Sequence, residues 1–255
     1  MQIVARFREW RHSVYGFNLY NRRQWVAGYA SRLPSGTRVL DVGAGMGQYR
    51  PLFARCDYKA HDFGQEPQTI GHYTSLDYES DILTIPAADA SADVILCTEV
   101  LEHVPEPIKA VQEMARILRP GGLMLLSAPL GCILHQEPYI YYSGYTPHWY
   151  RRFLDEAGCD VIAIESNQGF FSLFADYSQW FSNLIHPRQT RRETLLHRGF
   201  LGLVWLGSRP MMRILGPLGR WLDRCGFGEV GTVGYHVVAV RRGGIPVIPL
   251  KGPTS

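Results

Sequence analysis

The stretch Val39-Leu40-Asp41-Val42-Gly43-Ala44-Gly45-Met46-Gly47 decides how this chain folds. Its apolar, β-branched first half, carrying one acid, predicts a buried strand, and the three glycines behind it predict a sharp turn into a short helix. Glycine is required there physically. Without a Cβ the backbone turns tightly, a ligand can approach it closely, and the amides of the helix N-terminus point at that ligand. A bare turn would explain the same letters. Position separates the two readings, because Asp62 closes the next predicted strand 19 residues beyond Gly43, where a carboxylate can accept both hydroxyls of a ribose.

Two ligand classes use such a turn. A dinucleotide site wants a third glycine at residue 48, which here is Gln48. Asp41, directly before the turn, also sits badly beside a pyrophosphate and well beside an ammonium group. The ligand expected from the residues therefore carries an adenosine and an amine.

Around this segment, apolar runs bounded by Gly, Pro and Asp alternate with helix-period stretches from Arg38 to Glu165, the pattern of an α/β fold on a parallel sheet. The predicted strands are Arg38 to Val42, Asp57 to Asp62, His72 to Leu76, Ala92 to Cys97, Leu123 to Ser127 and Asp160 to Glu165, with a last one at Tyr235 to Val240. Pro107 to Leu118 reads as a crossover helix stopped by a tight turn at Arg119-Pro120-Gly121-Gly122, and Thr146-Pro147 opens another that ends at Ala157-Gly158. The rhythm then breaks. Residues 167–234 look inserted between the last two strands: an aromatic cluster from Phe170 to Phe181 precedes an apolar run that Pro210 and Pro217 are expected to divide into short helical pieces.

A chain of 255 residues has room for one substantial core with a sizeable insertion, so a single domain over residues 1–255 is expected. Hydrophobic residues at 46% and charged ones at 19% exclude disorder. The net charge of +3 hides an uneven distribution, with 10 basic and 3 acidic residues in 1–60, 5 and 17 in 61–187, and 11 and 3 in 188–255. Of the 26 basic residues 23 are Arg, which fits codon bias or a surface facing phosphate or anionic lipid. Five widely spaced cysteines with no C-x-x-C pair argue against a disulfide framework and a structural zinc site, and imply a reducing compartment. Arg6, Arg8 and Arg11 interrupt any signal-type apolar stretch, and no window approaches the roughly 20 apolar residues of a spanning helix. The expected location is cytoplasmic, with a peripheral contact at a membrane surface left open.

Taken in order, several segments resemble the class I S-adenosylmethionine-dependent methyltransferases. Asp41 to Gly47 is similar to the family's first motif, which wraps the methionine part of the cofactor. Asp62 matches the acid that binds the ribose, Asp81-Ile82 the pair beside the adenine, and Cys97-Thr98-Glu99 the segment at the methyl-donor site. Glu99-Val100-Leu101-Glu102-His103-Val104-Pro105, with Arg116 to Gly122, resembles the branch that contains small-molecule and quinone methyltransferases. The resemblance implies a Rossmann-like seven-stranded sheet of order 3-2-1-4-5-7-6 with strand 7 antiparallel. It also implies S-adenosylmethionine held by Asp41, Gly43, Gly45, Gly47, Asp62, Asp81, Ile82 and Thr98.

Transfer of an already activated methyl needs an in-line approach and exclusion of water more than it needs a catalytic group. If the acceptor is a hydroxyl, a base helps, and the candidates are His135, on the loop after the fifth strand, then His148, with His103 behind them. No metal ligand set is read from the sequence. Motifs of amino-directed and cytosine-directed nucleic-acid methyltransferases are missing, so nucleic acid is disfavoured and a small-molecule, sugar or lipid-linked acceptor is expected. A noncatalytic cofactor-binding module and a membrane-surface scaffold are the alternatives. The segment 167–234 is expected to act as a substrate cap, and Arg209, Arg213, Arg220 and Arg224, spaced by 4, 7 and 4, would align on one helical face if the helix were continuous through Pro217.

Overall fold

The apolar runs become strands because each can be buried on both faces by the helices that follow and precede it. The computed structural model describes residues 13–14, 16–64, 74–186, 194–227 and 231–249. The chain divides into two units, one of residues 22–166 with 234–255 and one of residues 1–21 with 167–233.

The first unit holds the sheet. Its strands are β1 (Arg38–Val42), β2 (Asp57–Asp62), β3 (Tyr78–Glu79), β4 (Ala92–Thr98), β5 (Leu118–Pro129), β6 (Cys159–Ser166) and β7 (Gly234–Arg241), in the order β3-β2-β1-β4-β5-β7-β6. The first five pair in parallel, and β7 runs antiparallel to both β5 and β6, the topology that the family resemblance implied. One face is closed by α2 (Pro107–Ile117) and α3 (Pro147–Glu156), whose Val111, Met114, Tyr150 and Leu154 lie buried with Leu40, Ile95 and Met124 of the sheet. Val26 and Ala30 of α1 (Phe17–Ala30) pack on the opposite face with Val39, Val94, Leu96 and Leu125. The predicted boundaries of α2 and α3 hold for local reasons: each begins on a proline at its first turn, and Thr146 caps α3 by accepting from the Trp149 amide at 3.3 Å.

Asp93, at the start of β4, ties three strands together. Its carboxylate accepts from the backbone amide of Arg38 at 2.9 Å, from the Arg38 guanidinium at 3.0 Å and from Arg119 Nε at 2.6 Å. Burial works against the charged form, but the hydrogen bonds from Arg38 and Arg119 outweigh it and hold the carboxyl well below its usual range.

Three expectations are corrected. The third strand is Tyr78–Glu79 and not His72 to Leu76: His72 and Tyr73 lie outside the described residues, and Thr74 to Leu76 are not strand. Asp77 sets that register, because its carboxylate and its amide both bond to Ala60, while the Thr74 amide is taken by the Gly45 carbonyl. Arg119 to Gly122 do not form a turn ahead of the fifth strand but a bulge inside it, between the pairs Ala92/Leu118 and Val94/Leu123, which Gly121 permits with φ +74°. Pro210 and Pro217 do not divide the late apolar run either. It is one 28-residue helix, α5 (Leu195–Leu222), that packs along α4 (Phe170–Leu184), with Gly219 set against the Phe171 carbonyl, and this contact outweighs the two amide donors lost at proline.

Asp93→Ala is expected to cost about 1.5–3 kcal/mol in urea unfolding at neutral pH, the worth of hydrogen bonds to a charged group. A carboxyl held low stabilises the fold above its unfolded value and loses that contribution as pH falls through its folded value. The gap between variant and wild type should therefore close under acid conditions, and a gap independent of pH would show that the loss lies elsewhere.

Candidate active site

Parallel pairing brings the ends of β1, β2 and β4 to one edge of the sheet, with Val42 opposite His61 on one side and Cys97 on the other. The crevice between β1 and β4, where the strand order reverses, is where ligands bind in open α/β sheets. The chain leaves β1 at Gly43 with φ +75°, and the amides of Gly43 and Ala44 both donate to the His61 carbonyl at 2.9 Å. A Cβ on Gly43 would stand 2.3 Å from Val100 Cγ2. The next amide, of Gly45, donates to Asp62 Oδ2 at 2.8 Å, and the Gly64 amide donates to Oδ1 at 3.3 Å.

A pocket of about 250 Å³ opens over this turn. Gly43, Gly45, Asp62, Asp81 and Ile82 line one side, and Val100, His103, Gln136 and Tyr139 are among those on the other. Asp81 also accepts from the Leu83 amide at 2.9 Å, which fixes its turn. The remaining residues read from the sequence as cofactor contacts stand outside this lining. Asp41 is buried, with the Tyr58 hydroxyl donating to its carboxylate. Burial pushes its pKa up to about 7, against the pull of that hydrogen bond and with the help of Asp62. Gly47 holds φ +67° against Thr74, and Thr98 donates to the Tyr49 hydroxyl at 3.5 Å.

The three histidines separate clearly. His103 is on the pocket wall, and its Nδ1 lies 2.6 Å from the Tyr139 carbonyl. A carbonyl only accepts, so Nδ1 carries the proton and Nε2 keeps its lone pair. Burial holds this ring below its usual pKa, with the Tyr139 carbonyl pulling the other way. His135 is outside the lining and packs edge-on against His103 with ring centroids 4.9 Å apart, its own Nδ1 2.8 Å from the Ile133 carbonyl. His148 is exposed on the first turn of α3, away from the pocket lining.

The second wall rests on residues that the sequence motifs contain but to which no individual role was given. Glu99, directly after β4 and with φ +54°, accepts from Ser127 Oγ at 2.8 Å and meets Arg22 Nη1 at 2.8 Å. Glu102 is 1% exposed, and its Oε2 has no hydrogen-bond partner; burial first, and Glu99 second, push its pKa well up. Backbone amides of Tyr141 and Tyr142 donate to the Glu102 carbonyl, folding the loop after β5 over the turn Leu101–His103. As a result one ligand atom from each of Glu102, His103 and His135 lies within 4.8 Å of the others, close enough to share a cation. The adjacent Glu102-His103 pair was visible in the sequence, but His135 joins it only through the return path of the loop after β5.

A family model described as a methyltransferase domain matches residues 7–174. Curated relatives include an uncharacterized methyltransferase of Mycobacterium sp. (strain JLS), 33% identical over 157 residues, covering 53% of this chain and 60% of that protein. Another is a ubiquinone biosynthesis O-methyltransferase of Vibrio cholerae, 35% identical over 102 residues, covering 36% of this chain and 42% of that one. This chain thus spans less than two thirds of the length of these curated relatives. Among solved structures, a protein assigned as a sarcosine dimethylglycine methyltransferase, from Galdieria sulphuraria, superposes with a TM-score of 0.54 at 17% identity, covering 88% of this chain and 86% of that one. At that identity the likeness shows the fold.

Asp41 yields a prediction on stability. A carboxyl whose folded pKa lies near 7, above its usual 3.8, keeps a proton in the fold that the unfolded chain releases, so stability is full below the usual value and falls as pH rises towards 7. Asp41→Asn, which keeps the shape without the titration, should melt progressively higher than wild type as pH is raised from about 4 to about 8. Parallel melting curves would place the charge elsewhere.

Proposed function

The chain belongs to the S-adenosylmethionine-dependent methyltransferase family, and on that premise we propose that it methylates a hydroxyl of a small-molecule or lipid-linked acceptor. The observation that carries this reading is the shared pocket: the bare Gly43–Gly45 turn and Asp62 on one side, and a histidine with a free lone pair on the other. The residues fit the cofactor. A side chain at Gly43 would fill the cradle, and two of the Asp62 carboxylate's roughly four lone-pair sites are used by amides, which leaves room for ribose hydroxyls. Asp81 and Ile82 are assigned to the adenine end, and the buried acid Asp41 behind the turn, which a nearby ammonium would help to ionise, is assigned to the amino-acid end.

When bound, S-adenosylmethionine supplies a methyl already made electrophilic by its sulfonium. What remains for the chain is to align an acceptor oxygen about 3–3.5 Å away, to exclude water and to take a proton. Tyr139, Tyr141, Val104 and Pro105 make the acceptor side of the pocket largely apolar and aromatic. His103 Nε2 receives the hydroxyl proton, the Tyr139 carbonyl fixes the tautomer, and His135 limits the ring's rotation. The oxygen acceptor draws further support from the Vibrio cholerae relative, which is named as an O-methyltransferase. The segment 167–234, which sheet closure does not require, is assigned to acceptor selection.

One observation favours a second reading of the same groups. Glu102, with its unpartnered buried oxygen, together with His103 and His135 would hold a divalent cation that acidifies the acceptor hydroxyl in place of a base.

Two measurements check these assignments. Asp62→Ala should weaken calorimetric binding of S-adenosylhomocysteine roughly ten- to a hundredfold, the loss of charge-assisted hydrogen bonds of about 1.5–3 kcal/mol, with Asp62→Asn as the control for loop shape; unchanged affinity removes the ribose assignment. With radiolabelled methyl donor and fractionated extract, His103→Ala should lower transfer by about 10² or more at retained cofactor affinity, His135→Ala by less, and His148→Ala hardly at all. Loss of wild-type transfer on chelation, restored by a divalent cation, selects the metal reading. Cofactor binding without transfer into any fraction would reduce the chain to a binding module.

A further inference from the structure

The helical unit is built with its apolar side chains facing out. On α4 the side turned inward carries Ser172, Ala175 and Ser182, while Phe174 and Phe181 are 54% and 52% exposed and Phe170, Tyr177 and Leu184 share their side. On α5 the buried positions are Ser208, Met212, Gly216 and Gly219, and a Cβ at Gly219 would stand 2.7 Å from the Phe171 carbonyl. The two helices thus approach through small residues. Along the outer side of α5, Leu203, Ile214, Leu218 and Trp221 recur at helical spacing, with Leu203 71% and Ile214 64% exposed.

In water this arrangement is inverted, since large apolar side chains ordinarily take the inward face and small or polar ones the outer. Helices surrounded by lipid show the opposite preference: small residues let backbones meet, and large apolar chains face the hydrocarbon. Charge points the same way. The 28 residues of α5 carry Arg198, Arg209, Arg213 and Arg220 and no acid. Among the described residues of this unit the acids are Asp176, half-buried on α4, and Asp223, whose carboxylate is taken by the amides of Gly169, Phe171 and Ser172. A two-fold contact between copies through this face would bring the arginines of α5 together, and the described residues of this unit offer no exposed acid to answer them. No described helix is long and apolar enough to cross a membrane, so a lipid partner would be met at its surface.

We propose that the α4–α5 pair docks on an anionic lipid bilayer, its aromatic and aliphatic side sunk into the headgroup–acyl boundary and the exposed Arg209 and Arg213 of α5 reaching the lipid phosphates. Trp180 and Trp221, both exposed, are suited to that boundary, where amphipathic rings concentrate. The inference rests on the helical unit alone and stands apart from the assignment of the transfer chemistry.

The test is flotation of the full chain with vesicles of phosphatidylcholine, alone or mixed with phosphatidylglycerol. Binding is expected on the mixed vesicles and should fall by at least tenfold with salt or on neutral ones, because headgroup attraction is screened. Phe181→Glu with Ile214→Glu, and separately Arg209→Glu with Arg213→Glu, should each lower partitioning at least tenfold, with folding verified by circular dichroism. Should either pair fail to fold, the wild-type chain still decides the matter, since brominated acyl chains should quench its tryptophan fluorescence only in anionic vesicles. Absence of flotation and quenching under all conditions overturns the proposal, as do folded variants that float like wild type. A concentration-dependent dimer that the same substitutions dissociate, without lipid binding, would hand the face to a second copy and equally overturn it.

Discussion

One hydrogen bond organises the catalytic end of the sheet: the Gly45 amide donating to the carboxylate that ends β2. It joins the turn leaving β1 to its neighbouring strand, and it does so with an oxygen that also faces the pocket. The turn can accept this tether only because Gly43 adopts a left-handed conformation and presents no side chain to Val100. Remove either condition and the glycine amides no longer point where a ligand could use them. The structural duty of Asp62 and the ribose contact proposed for it therefore cannot be separated by position, only by which of its lone pairs is occupied.

A second constraint is electrostatic. Asp41, Glu99 and Glu102 converge on the ends of β1 and β4, and Arg22 of α1 answers them with an ion pair to Glu99. Burial makes this excess of acid costly, and the chain relieves it by raising the pKa of Asp41 and Glu102. A cation brought beside these carboxyls would let them release their protons, whereas an anion would oppose it.

Much of this was legible in the sequence, because glycine turns, acid-terminated strands and proline-started helices are local statements. Gly43 and Asp62 were singled out by spacing, while Asp81 and the sheet order followed from the resemblance. What escaped was set by tertiary contact. The third strand formed where Asp77 reached Ala60, two residues past the predicted run. The prolines of α5 were overruled by packing against α4, which no local signal announces. Among the histidines, His135 was favoured for its place after β5, yet the loop folds back through Tyr141 and Tyr142 so that His103 takes the pocket wall. A loop's return path depends on backbone hydrogen bonds to a distant turn, and residue type does not encode it.

The position of β7 governs how the sheet can be completed. It pairs with β5 along one edge and β6 along the other, and nothing else joins β6 to the sheet. During synthesis β6 emerges some 70 residues before the strand it pairs with, and β5 meanwhile presents an unpaired, largely apolar edge. Exposed strand edges invite association with other chains, and contacts of long sequence separation form slowly. The nascent chain thus passes through a stage in which the cofactor end of the sheet, β1 to β4, has all its strands in place while the opposite side is still open, and residues 234–241 act as the closing wedge.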